Sequence, residues 1–165
     1  MMPLSGRVTR FPMKVSNRIP AIYVSCRREF GVRWDDGVVL TYGDTAYCKY
    51  PLSPDLIVHE SVHVRQQGDE PDKWWKQYLY DPDFRREQET EAYLAQADFL
   101  RKIPGHEVRL REIAGSMARM YGGIWTEDEA YELLTKKDEH AIHDTEGALQ
   151  GGDCREGAEG SAVEA

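Results

Sequence analysis

His59 and His63 stand four positions apart with Glu60 directly after the first, and this HExxH spacing suits the capture of a divalent ion. On an α-helix successive residues turn by about 100° and rise by about 1.5 Å. Both imidazoles therefore leave one face, one turn apart, where they can reach a single ion. Glu60 emerges beside that face, so its carboxylate can act as general base on a zinc-bound water without becoming a ligand. The chemistry implied is hydrolysis. A catalytic zinc keeps three protein ligands and an open position, so one more donor is expected downstream.

The flanks predict the helix that this spacing needs. Ser53 suits the N-cap, Pro54 the first helical position, Asp55 the positive end of the helix dipole, and Gly68 the stop. Leu56, Ile57, Val58, Val62 and Val64 spread around most of the helical wheel, which predicts a helix enclosed by other elements. The competing reading, two hydrogen-bonded core histidines, does not account for the acid placed between them.

The third donor is sought among the acids after His63. Residues 83–103 read as a helix with Glu87, Glu89 and Glu91 near its start. Phe84, Ala92, Ala95, Phe99, Leu100 and Ile103 form an apolar arc at the helical period, and Glu89 falls inside it, whereas Glu87, Glu91 and Asp98 share the opposite side. A buried carboxylate needs a partner. An ion held by His59 and His63 would be one; Arg65 or Arg85 would be the alternative.

In these residues the chain resembles the minigluzincins, small gluzincin zinc peptidases that include metallopeptidases of phage and prophage genomes. The resemblance spans roughly residues 22–100: a strand pair, HExxH continued by Val64, Arg65, Gln66 and Gln67, an aromatic helix with Trp74, Trp75 and Tyr78, and the stretch 86–93. Gluzincins take their third ligand from a Glu on a later helix, often followed by Ala three residues on and Asp four residues on. Glu89, Ala92 and Tyr93 match that spacing, with Tyr93 in place of the Asp. The resemblance thus implies His59, His63 and Glu89 as zinc ligands and Glu60 as the catalytic base. It implies peptide or protein substrates, paired through an outer strand of a sheet packed on the motif helix. It also implies a Tyr or His that stabilises the oxyanion, for which Tyr50, Tyr93, His106 and Tyr121 all remain open.

Elsewhere, residues 21–25, 38–42 and 45–50 read as strands, with Gly43 placed for a type II′ hairpin turn. Residues 106–121 read as an amphipathic helix between glycine breaks, and Thr126 with Glu129 forms a capping-box pattern for a last one. His140 and His143, with Glu139 beside them, read as solvated residues near a polar end. Helical spacing makes Trp74, Trp75 and Tyr78 core packing rather than a substrate platform. The expected fold class is α+β: a small, mostly antiparallel sheet on a helical core that carries the HExxH helix and the Glu89 helix, a zincin-like arrangement.

With 165 residues, 41% hydrophobic and 30% charged, the composition suits one globular domain. Residues 1–143 are assigned to a zinc metallopeptidase-like domain. Residues 144–165, with six acids, one Arg and five Gly, are assigned to a disordered acidic tail that carries most of the formal charge of −8. This balance argues against a duplex nucleic-acid partner. Cys26, Cys48 and Cys154 have neither metal nor disulfide spacing, which points to a reducing compartment. No signal peptide or membrane span is read, so the expected location is the cytoplasm, left only through lysis or packaging in a virion. The functional expectation is a zinc metallopeptidase; the alternative is a structural or adaptor protein, such as a phage component, that uses Zn2+ for stability and cleaves nothing.

Overall fold

The computed structural model describes residues 13–136. The expectations for residues 139–143 and for the 144–165 tail lie outside them, as does Cys154. The fold is α+β. Strand β1 (Lys14–Ser16) is followed by helix α1 (Tyr23–Phe30), a 3-10 turn at Trp34–Asp36 and a hairpin of β2 (Val39–Tyr42) and β3 (Thr45–Cys48). Five helices then follow: α2 (Pro54–Gln67), α3 (Pro71–Tyr80), α4 (Pro82–Leu100), α5 (His106–Arg119) and α6 (Glu127–Thr135).

The sheet has the order β1-β3-β2, with β1 parallel and β2 antiparallel to β3. It is therefore mixed rather than mostly antiparallel. The hairpin expected from the residue types forms, and Gly43 takes φ 59° at its turn, a value that favours glycine. The expected strand at residues 21–25 does not form, because Tyr23 to Ser25 open α1. β-Branched and aromatic residues suggested a strand over that short window, but the governing signals lie further on. Arg27 and Arg28 complement the last turn, and Gly31 closes the helix in the left-handed region at φ 67°. Helix formation also lets Cys26 pack with Trp74, Trp75 and Tyr78.

The motif helix α2 runs from Pro54 to Gln67 as its flanks predict. Ser53 has the extended N-cap backbone, although its hydroxyl makes no capping bond. Burial is not all-round: Ile57 is 43% exposed, and Ser61 and Arg65 continue the same solvent stripe. The rest of α2 packs chiefly on α4. On α4 the buried face comprises Arg85, Glu89, Ala92, Tyr93, Gln96, Ala97 and Leu100, so Glu89 is central to it. The helix ends at Leu100, and Ile103, expected in the arc, is exposed beyond it.

Two apolar clusters flank this α2–α4 pair. One joins α4 to α5 and α6 through Tyr93, Leu100, Leu110, Met117 and Leu134; the other gathers Cys26, Leu40, Trp74, Trp75, Tyr78 and Leu79. Thr126 and Glu129 form both bonds of the expected capping box at the start of α6. Leu134, fully buried against the first cluster, is the anchor of α6. Leu134→Ala is predicted to cost about 2–5 kcal/mol in urea unfolding at unchanged m-value.

Candidate metal centre

The structure brings His59, His63 and Glu89 together, with one ligand atom from each within 4.8 Å of the others. All are deeply enclosed: His59 is 4% exposed, His63 6% and Glu89 2%. The two Nε2 atoms are 3.1 Å apart, His59 Nε2 lies 3.4 Å from Glu89 Oε2, and His63 Nε2 lies 3.4 Å from Glu89 Oε1. The arginine alternative for Glu89 fails on geometry. Arg65 pairs with Glu91, and Arg85 donates to the carbonyls of Tyr78, Leu79 and Tyr121.

Side chains behind the histidines determine which ring nitrogens face the cluster. Gln96 donates from Nε2 to Asp55 Oδ2 at 2.7 Å, so its oxygen faces His59 Nδ1 at 3.1 Å. A carboxylate only accepts, so the amide is oriented by Asp55 and His59 must carry its proton on Nδ1. Gln66 acts alike. Its Nε2 donates to Gln88 O and Glu91 Oε2, which turns its oxygen to His63 Nδ1 at 2.8 Å. Both neutral rings are thereby tautomers with Nε2 lone pairs directed at one another and at Glu89. Tyr93, four residues after Glu89, packs its ring edge-on against that of His59 with centroids 4.4 Å apart.

Glu89 itself is held by Tyr78, whose hydroxyl donates to Oε1 at 2.5 Å. Oε2 is buried and accepts no hydrogen bond. Two imidazole lone pairs and an orphaned carboxylate oxygen in an enclosed space repel unless a cation or a proton lies among them. The donor set, two imidazoles and one carboxylate, fits a divalent transition-metal ion, of which zinc is one.

Glu60 lines the same cavity, 5% exposed, and accepts from the Thr41 hydroxyl at 2.7 Å. Thr41 is itself fixed, since its carbonyl accepts from Gln67 Nε2 and Trp75 Nε1, while Gln67 Oε1 takes the Gly43 amide. This places limits on the strand pairing expected from the resemblance. The Thr41 carbonyl turns away from β3 and is already engaged, which by strand alternation leaves the main-chain groups of Val39 on the open side of β2.

Of the four residues considered for oxyanion stabilisation, Tyr93 and Tyr121 line this cavity. Tyr50 is exposed, with its hydroxyl toward Asp35 O, and His106 faces Ile103 O. Tyr121 has φ 58°, the one positive value outside glycine among the described residues, and its hydroxyl is 2.7 Å from that of Tyr93. Burial, reinforced by the charge of Glu89, holds both phenols protonated far above their ordinary range. Two hydroxyls sharing one hydrogen bond leave one O–H proton over, and neither oxygen has another acceptor among the described residues.

Sequence reading missed Gln66, Gln96, Asp55, Thr41 and Tyr78 as supports of the site. Gln96 carried a usable signal, as it lies two turns from Glu89 on the same helical face, a polar residue where the neighbours are apolar. Thr41 and Tyr78 come from other elements and carried none. No protein-family model, curated protein or solved structure matches this chain. No described helix is long and apolar enough to cross a membrane.

Without an ion, burial disfavours charge on the His63 ring, but Glu89 and then Glu60 raise its pKa from 6.5 to about 9. Burial likewise works against the Glu89 carboxylate, yet the two imidazoles hold its pKa well below the usual range. The His63 proton therefore stabilises the ion-free fold below pH 6.5 and its contribution is lost as pH rises through about 9. A cation competes for that place. At pH 7 zinc binding is predicted to release about one proton, and zinc affinity to rise toward pH 9, as read by calorimetry in buffers of different ionisation enthalpy. Gln96→Met is predicted to weaken zinc binding about 10- to 100-fold in competition with a chromogenic chelator, because the His59 tautomer is no longer fixed.

Proposed function

We propose that this chain is a zinc-dependent peptidase of the gluzincin type, with His59, His63 and Glu89 as the residues that hold the ion and Glu60 as general base. One observation carries the reading: three donors cluster, and a second acid, Glu60, is held beside them in the same cavity by Thr41, outside the cluster. A purely structural zinc usually has four protein ligands, commonly thiolates. Among the described residues the cluster has three, and neither Cys26 nor Cys48 belongs to it.

An ion held there supplies Lewis-acid polarisation of a carbonyl. Glu60 does the proton work. The Thr41 hydroxyl occupies its Oε2, leaving Oε1 to accept a proton from the attacking water and to return it to the departing amine. The unassigned O–H proton of the Tyr93–Tyr121 pair is suited to meet negative charge that develops on the carbonyl oxygen. The Val39 main chain is suited to pair with one residue of an extended substrate, which favours a peptide over other amides. Gln66, Gln96 and Tyr78 hold the three donors in place and take no part in bond making.

Glu60→Gln tests this directly. Wild type and variant are predicted to retain stoichiometric zinc by atomic emission, while hydrolysis of a broad peptide library falls about 100- to 10,000-fold in the variant. Stoichiometric zinc with no turnover in wild type would instead support the structural or adaptor alternative.

A further inference from the structure

The cavity that contains the cluster has about 190 Å³ of space, comparable to the roughly 150 Å³ of an engineered cavity that holds benzene. Beyond the histidines, the two glutamates and the hydroxyls of Thr41, Tyr78, Tyr93 and Tyr121, its side-chain walls are apolar. Phe30, Val32, Val38, Leu40, Trp75 and Met120 come from separate elements or connections and converge on it. No Lys or Arg lines it. The nearest buried cation, Arg85, lies behind the wall, stacked on the Phe30 ring at 4.8 Å and donating to backbone carbonyls. A carboxylate placed among these apolar residues, away from both the ion and the Tyr93–Tyr121 hydroxyls, would be desolvated without a partner.

We propose that this cavity accepts a single uncharged apolar group of about phenyl size from the substrate and rejects a carboxylate there. The inference rests on the metal-dependent hydrolase reading and adds a substrate class to it. A C-terminal dipeptide whose carboxylate would have to enter the cavity is thus a poor substrate, whereas a residue with an aromatic or branched apolar side chain beside the cleaved bond is a good one.

Three hydroxamates test it on the zinc-loaded full chain: acetohydroxamate, 4-phenylbutanohydroxamate, and a probe of the same length ending in carboxylate in place of phenyl. Dissociation constants come from quenching of tryptophan fluorescence, with Trp74 and Trp75 in the cavity wall as reporters. The phenyl probe is expected to bind about 30-fold more tightly than acetohydroxamate. It is expected to exceed the carboxylate probe by about 100-fold. Met120→Lys places a cation at a residue that is 38% exposed and lines the cavity, so it is expected to narrow the second difference to about tenfold without requiring burial of a new charge. Stoichiometric zinc with all three probes within about threefold of one another would overturn the cavity assignment and leave the metal reading standing. Failure to bind zinc would overturn both.

Discussion

The site depends on one electrostatic constraint, a carboxylate and two imidazole nitrogens enclosed together with more lone pairs than protons. Glu89 is almost wholly removed from solvent, one of its oxygens accepts from Tyr78, and the other accepts from nothing. Such an arrangement is costly unless positive charge sits at its centre. A proton can serve while the chain is free of metal, which is why the His63 pKa rises to about 9 despite burial. A divalent ion serves better, since it engages all three donors at once.

The fold is arranged to present this constraint. α2 and α4 pack face to face, with His59 and His63 on one and Glu89 on the other, and each histidine is oriented by a glutamine amide whose own direction is set by an acceptor behind it. On the Gln96 side the relay reaches the surface of α5, where Arg109 approaches Asp55 at 3.5 Å. The small sheet has a different role. Gln67 and Trp75 secure the Thr41 carbonyl, and the Thr41 hydroxyl secures Glu60. Base and ligands are thus positioned from independent directions, so a change in one need not displace the others.

The parts legible in the sequence were those encoded by local periodicity. His59 and His63 share a face because of their spacing, Pro54 and Gly68 mark the helix ends, and Glu89 stands out as an acid inside an apolar arc. Thr126 and Glu129 form their capping box for the same reason. What escaped was set by longer-range contacts or by signals outside a short window. The 21–25 segment favours a strand by residue type, yet the basic last turn, Gly31 and packing on α3 make it helical. β1 is only three residues long and is a strand by virtue of pairing with β3, some thirty positions away. Tyr78, Thr41 and Gln66 look ordinary in sequence; their roles exist only once α3, β2 and α2 meet around the cluster.

The most direct measurement is zinc K-edge X-ray absorption of the zinc-loaded chain. The account predicts a nearest shell of nitrogen and oxygen at about 2.0–2.1 Å with the outer scattering of two imidazoles. A sulfur shell at about 2.3 Å, or a spectrum without paired imidazoles, would place the ion elsewhere and contradict the assignment of His59, His63 and Glu89.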